Sequence, residues 1–369
     1  MRRQQPDRVP IYIRGVQPHD ARWVESKDPS FAPLIDAVGE RGDLRSGVSL
    51  GGGVFLTAVG APTAAEVPVS QQREPAGDWD LVTTTYHTPA GALVGKHRES
   101  PQGHPGMVAE FPVKTEQDVA RALSVPYEPP SPGVDKWLAA VEAMGEGGLV
   151  LLDFADPIGE VHRLLGSSLL AEWSITNRDL VVRLVRVAAE RLEDMLRRWL
   201  ADPRVVEPVF ASGGQEYAGP PLLSPRDFRE FCTEVERPIA EMIHRRGGLL
   251  HVHCHGPMDA IIEQLVELGA DCLHPVEAPP MGDLPLAEAK ARVGRRLCLE
   301  GNIQVGDLFT MQTRELIAVV EQALRDGMPG GGFILAPSAS PYMPVLSGRA
   351  RDNYLAMIET GVRLGAYGL

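Results

Sequence analysis

From about residue 145 onward, six short apolar runs alternate with helical stretches, which predicts an α/β chain folded as a single (β/α)8 TIM barrel with an irregular N-terminal cap. The runs are Leu149–Phe154, Val205–Phe210, Leu249–Cys254, Cys272–Val276, Leu297–Leu299 and Gly332–Ala336. Strands joined through helices pair in parallel by right-handed crossovers. The length, 369 residues, suits one such barrel with insertions.

Six units leave two strands to find, and Val9–Ile13 is a candidate for one. The stretch from about 20 to 145 is richer in Gly and Pro and less periodic, and is expected to form the cap and early barrel elements. It should hold a hairpin near Leu81–His97 over the barrel mouth and a short helix at Asp118–Leu123 after Thr115. Prolines 126, 129, 130 and 132 make a rigid connector. Asp156-Pro157 reads as a helix start. The clearest helix runs from Asp179 to Leu200, with Leu180, Leu184, Val185, Leu192, Met195, Leu196 and Trp199 on one stripe. Ser224-Pro225-Arg226-Asp227 has the form of an N-cap with an acid three residues on, opening a helix toward His244. Another helix begins near Pro257, carries Ile261, Ile262, Leu265 and Val266, and stops at Gly269. Thr313–Leu324 stops likewise at Gly327.

Thirty-six basic against 49 acidic residues give a net charge of −13, which argues against non-specific nucleic-acid binding and attachment to anionic membranes. The four cysteines are scattered without a CxxC pair, as expected in a reducing compartment. The first residues are not followed by an apolar stretch long enough for export, so a cytoplasmic location is expected.

The chemistry concentrates in His251-Val252-His253-Cys254-His255-Gly256 and in the next run, which ends at Glu277. In a strand, His251, His253 and His255 share one side and Val252 and Cys254 the other. Two imidazoles two residues apart, with a carboxylate from the neighbouring strand, make a three-ligand site for zinc or a similar ion. The ligands are then His253, His255 and Glu277, with His251 a deeper ligand or a partner to one. Acid–base chemistry without metal, or a hydrogen-bonded core, are the other readings of these histidines. In such barrels active residues lie at the carboxyl ends of strands. Those positions are Arg14, Asp153, Asp156, Gln215, Glu216, Asn302, Gln304, Ser338 and Ser340, besides the histidines and Glu277.

Several motifs occur in order along the chain. They are Pro6-Asp7-Arg8-Val9-Pro10, Thr88-Pro89-Ala90-Gly91, Leu222-Leu223-Ser224-Pro225-Arg226-Asp227-Phe228, Gly301-Asn302 and Ile334-Leu335-Ala336-Pro337. Together they resemble the uroporphyrinogen decarboxylase superfamily, which also contains zinc-dependent corrinoid methyltransferases. The methyltransferase branch is similar at the metal site, where its motif reads His-x-Cys-Gly and a glutamate ends the following strand. Here His253, Gly256 and Glu277 match. His255 stands in place of the first cysteine, and Ala339 or a neighbour in place of the second. Exchanging two thiolates for an imidazole makes the bound ion a stronger Lewis acid, suited to an oxygen ligand. The decarboxylase branch is less similar: its N-terminal Arg-x-x-x-Arg is absent, and Gln304-Val305 replaces the Asp-Pro after Gly-Asn.

The resemblance implies a zinc-dependent methyltransferase. It would move a methyl group between a small substrate (a methyl ether, or a methylated amine or thiol) and a cobalamin carried by a separate corrinoid protein. Glu277, Glu216 and Asn302 are then the catalytic candidates. Arg14, Gln215, Gln304 and Ser338 contact the substrate, Arg14 through a carboxylate. The alternatives are a metal-independent decarboxylase of an anionic substrate and a catalytically lapsed barrel that serves as a binding partner.

Overall fold

The computed structural model describes residues 1–51, 53–56 and 67–368. After β1 (Leu44–Ser49), four strands form a separate antiparallel sheet: β2 (Val69–Ala76), β3 (Trp79–Thr88), β4 (Gly91–Glu99) and β5 (Met107–Glu110). The remaining strands are β6 (Gly148–Ala155), β7 (Val209–Gly213), β8 (Leu249–His253), β9 (Cys272–Glu277), β10 (Cys298–Ile303) and β11 (Phe333–Pro337). They join β1 in one seven-stranded parallel sheet, ordered β1-β6-β7-β8-β9-β10-β11. Helices separate consecutive strands from β6 onward, the pattern that the alternating runs predict.

The sheet curls. Ile11 bridges Leu335 of β11 in parallel, while Asp43, just before β1, donates its N–H to the Ile11 carbonyl at 2.8 Å. The first and last strands thus flank a single residue. The expectation of a closed eight-stranded barrel is corrected here to a seven-stranded half-barrel, and Val9–Ile13 supplies a bridge where a strand was expected. Pro10 has no N–H to give a ladder, which limits pairing there. The strand that the apolar pattern misses is β1, because Leu44-Arg45-Ser46-Gly47-Val48-Ser49 has no apolar run. The run at Val205–Phe210 becomes a strand only from Val209, immediately after Pro208.

Local signals elsewhere act as expected. Asp156 caps the helix Pro157–Thr176, accepting the Gly159 N–H at 2.8 Å. Thr115 with Asp118, and Ser224 with Asp227, form reciprocal capping boxes. Gly269 ends the helix Ile262–Leu268 in the left-handed region, φ 106°. The helix Arg178–Ala201 buries Leu184, Val185, Leu192, Met195, Leu196 and Trp199, and the Trp199 indole donates to the Leu50 carbonyl at 3.0 Å. Full burial of such aliphatic side chains contributes about 1.5–3 kcal/mol each. β3 and β4 make the expected hairpin, turning at Pro89-Ala90. Between that antiparallel sheet and the helix Pro157–Thr176 lies a cavity of about 390 Å³, lined in part by Tyr86, Phe111 and a stacked His162–Tyr217 pair. Among the described residues no helix is long and apolar enough to cross a membrane.

The curl depends on close packing of the last helix, Gly348–Leu364, against the bridge. A Cβ added to Gly361 would stand 2.8 Å from Ile11 Cδ1 and 2.9 Å from Leu335 Cδ2. Gly361→Leu is expected to cost at least about 1–3 kcal/mol by overpacking. The check is chemical denaturation: the midpoint should fall at unchanged slope, with the far-ultraviolet circular dichroism retained.

Candidate active site

Alternation along the strands decides what faces the interior. Arg45 and Gly47 of β1, Leu151 and Asp153 of β6, Ala211 and Gly213 of β7, and His251 and His253 of β8 all line one cavity of about 370 Å³. Tyr12, Arg14 and Ser340 complete much of its wall. The space exists because Gly47, Ala211 and Gly213 present almost no side chain. Val252 and Cys254 are fully buried away from it, as the period of two requires.

A buried ionic network closes the floor. The carboxylate of Glu300, on β10, is 0 % exposed and accepts from the Arg45 guanidinium at 2.9 Å. His251 Nε2 lies 3.0 Å from the same oxygen, and Arg45 stacks over the Tyr12 ring at 4.0 Å. Burial by itself would raise the carboxyl pKa of Glu300. Arg45, followed by His251 and His274, instead holds it well below the ordinary range. Burial lowers the pKa of His251 despite Glu300, so this imidazole is neutral, with its Nε2 set between the Glu300 carboxylate and the Arg45 guanidinium at 3.2 Å.

Above this floor, hydrogen bonds assign the tautomers of two more histidines. His274 Nε2 lies 3.1 Å from the Pro337 carbonyl, which can only accept, so Nε2 carries the proton. Burial pushes the His274 pKa down to about 3, leaving Nδ1 bare. His253 Nδ1 lies 2.9 Å from that atom and therefore donates to it. His253 is also held neutral, by burial and by Arg14, so its Nε2 keeps a free lone pair on a ring that lines the cavity. His255, beyond the end of β8, meets His253 edge-on with ring centroids 4.7 Å apart. Its Nδ1 lies 3.3 Å from Glu277 Oε2, which also accepts the Gly256 N–H at 2.8 Å. Burial would raise the Glu277 pKa, but these two donors bring it below the ordinary value.

The other sequence candidates divide into two groups. Glu216 belongs with the rim: His255 and Glu277 act on it electrostatically, burial raises its pKa, and its Oε2 is buried without a partner. Asn302 pairs in register with Glu277 and is 8 % exposed. Arg14 lines the cavity, and among the described residues its guanidinium forms no ion pair. Asp153 lines it too, and burial raises its carboxyl to about 6 against the pull of Arg45 and Arg14. Gln215 is instead fully buried below the rim, donating to Ser212 Oγ at 2.8 Å and to Glu236 at 2.9 Å. Gln304 and Ser338 bond to each other at 3.2 Å and brace the start of the helix Val305–Thr310. Of the three proposed ligands, His255 and Glu277 are in contact and His253 is adjacent. Among the described residues, the sets of three donors within 4.8 Å of one another are His251–Cys272–Glu300 and Asp156–Cys232–Glu236.

Arg45, Glu300 and His274 escaped the reading of the sequence as site residues. Glu300 had a signal: it lies two residues before Asn302 on one strand and so shares its face. His274 sits inside a short apolar run, and nothing local distinguishes it from a core histidine.

A uroporphyrinogen decarboxylase (URO-D) family model matches residues 164–359. Comparison with curated proteins finds no match. Among solved structures, a methyltransferase from Methanosarcina mazei is similar over 97 % of this chain and 94 % of its own, at 16 % identity and a TM-score of 0.57. At that identity the likeness speaks to the fold. A B12-independent methionine synthase from Shewanella is similar over 71 % of this chain and 72 % of its own, at 10 % identity and a TM-score of 0.45.

The floor network makes a sharp prediction. Arg45→Met strands the buried Glu300 charge and should cost about 3–5 kcal/mol at neutral pH. Because the folded Glu300 pKa is depressed, its stabilisation is present above the unfolded carboxylate value of about 4.3 and is lost as pH falls through the folded value. Urea denaturation at stepped pH should show the gap between wild type and variant narrowing in acid. The double variant Arg45→Met/Glu300→Gln should recover most of the loss at neutral pH.

Proposed function

Because the chain belongs to the uroporphyrinogen decarboxylase family, we propose that it is a metal-dependent methyltransferase. In this reading it moves a methyl group between a small substrate and a cobalamin carried by a corrinoid protein. The observation that carries the proposal is the tautomer chain from Pro337 through His274 to His253, which leaves His253 Nε2 as a neutral lone-pair donor beside the cavity. A neutral imidazole whose other nitrogen is held by a hydrogen bond is the usual form of a histidine metal ligand. The similar structure from Methanosarcina mazei is a methyltransferase, which supports the same reading.

His253, His255 and Glu277 would hold the ion, and their nitrogen and oxygen donors suit zinc. His251 is assigned to the floor, where Glu300 occupies its Nε2. When bound, such an ion supplies a Lewis acid that polarises or acidifies the substrate atom exchanging the methyl group. The chain's own residues do the rest. Arg14, which forms no ion pair among the described residues, receives a substrate carboxylate. Glu216, whose pKa is raised by burial, takes or returns the proton of the reacting group. Asn302 orients the substrate next to Glu277, while Gln215, Gln304 and Ser338 hold the loops beneath. A cytoplasmic setting agrees with the four free cysteines, all of them buried.

One observation favours a second reading, a metal-independent decarboxylase: Arg14, without an ion pair among the described residues, faces the same cavity as Asp153, whose carboxyl burial raises to about 6. Chelation separates the two. Methyl transfer to added cobalamin should vanish on metal removal and return with zinc, whereas a decarboxylase would release carbon dioxide regardless and depend on Arg14.

Two measurements test the leading reading. Zinc content per chain should fall sharply in His253→Ala and His255→Ala, and an unchanged content removes its core. His274→Ala frees the His253 ring and should weaken zinc about 10–100-fold without removing a ligand, as titration against a chromophoric chelator would report.

A further inference from the structure

One residue before Glu216, Gln215 leads into a buried acidic cluster that the rim chemistry does not use. Asp156 caps the helix Pro157–Thr176, Cys232 lies in the π-helical turn Arg229–Thr233, and Glu236 sits on the helix Glu234–Arg245. All three are 0 % exposed, and one donor atom of each lies within 4.8 Å of the others. The protein satisfies only one side of the cluster. Asp156 Oδ1 accepts from Gly159 N at 2.8 Å, and Glu236 Oε2 accepts from Gln215 Nε2 at 2.9 Å. Asp156 Oδ2, Glu236 Oε1 and Gln215 Oε1 are buried with no N–H donor, the two carboxyls having only each other to share a proton with.

No Lys, Arg or His within the described residues forms an ion pair with either carboxyl, in contrast to the Arg45 that faces Glu300. Burying two carboxylates without a cation costs several kcal/mol each, so the cluster must hold either protons or a metal ion. The backbone is shaped around it as well. Gly214 has φ 131°, and a Cβ there would stand 2.2 Å from Asp156 Oδ1, while one on Gly159 would stand 2.5 Å away. The π-helical turn that carries Cys232 is a rare backbone feature, frequently found at functional sites.

We propose that Asp156, Cys232 and Glu236 bind a divalent transition ion of the zinc class, separate from the rim ligands, with the Gln215 carboxamide oxygen close by. Carboxylate oxygens with one thiolate are a donor set for such an ion and a poor one for calcium or magnesium. The ion would tie the start of the helix Pro157–Thr176 and the helix Glu234–Arg245 to the turn Gln215–Ala218, and so fix Glu216 at the rim. Without it the cluster keeps its protons: burial, and for Asp156 the neighbouring Glu236, raise both carboxyls, Glu236 to about 8. Binding therefore displaces protons from the carboxyls and the thiol into solvent, and affinity rises with pH.

Sulfur separates this site from the rim, whose proposed ligands contain none. Metal-free protein titrated with Co2+ should develop a near-ultraviolet thiolate-to-cobalt absorption. That band should disappear in Cys232→Ser and survive in His253→Ala, His255→Ala and Cys254→Ala. Glu236→Gln, close in shape and still hydrogen-bonded to Gln215, should weaken the band's Co2+ affinity at least about tenfold. Zinc bound per chain should fall by one equivalent in Cys232→Ser whether or not the rim holds metal. A wild type without the band, or a band that persists in Cys232→Ser or is lost only in Cys254→Ala, overturns the proposal and leaves a carboxyl pair sharing protons.

Discussion

The interior of this half-barrel depends on the pairing of Glu300 with Arg45. A fully buried carboxylate on β10 is tolerable only because a guanidinium from β1 reaches it at 2.9 Å, with neutral His251 of β8 adding a hydrogen bond. The network ties the edge strand β1 and the central strand β8 to β10, one strand in from the other edge, across the cavity. Burial first, and Arg14 second, keep His253 neutral above this floor.

Charge is partitioned across the sheet. The interior face holds Arg14 and Arg45 opposite Glu300 and Asp153, beside the neutral histidines. On the far side of β8, beneath the helices, Asp156 and Glu236 lie near Cys232 and Cys254; burial first, and then these acids with Glu216 of the rim, raise the pKa of both thiols. His255 and Glu277, past the strand ends, stand where the two regions meet. The rim is therefore the place where a cation gains most from nearby carboxylates while remaining open to the cavity.

Function in this fold rests on positions with room left beside them. Gly47, Ala211 and Gly213 vacate the space that bulky residues fill in a packed barrel core. The bridge at Ile11 then brings the N-terminal segment, with Tyr12 and Arg14, over the resulting cavity.

The parallel strands after residue 145, their helices and most caps could be read from the chain, because each is set by local chemistry: periodicity, Asp156-Pro157, Ser224 with Asp227, Gly269. The inward face of His251 and His253 followed from the same period of two. The eighth strand could not be judged, since Val9–Ile13 has a strand's composition and whether it pairs depends on neighbours more than 300 residues away. β1 was illegible for the opposite reason: its Arg45 and Gly47 serve the cavity and remove the apolar run that marks a strand. Which nitrogen of His253 bears the proton, whether Gln215 faces substrate or core, and how two distant acids come to share one buried site with Cys232 were decided by tertiary structure alone. Such properties belong to pairs of groups, and only folding creates the pairs.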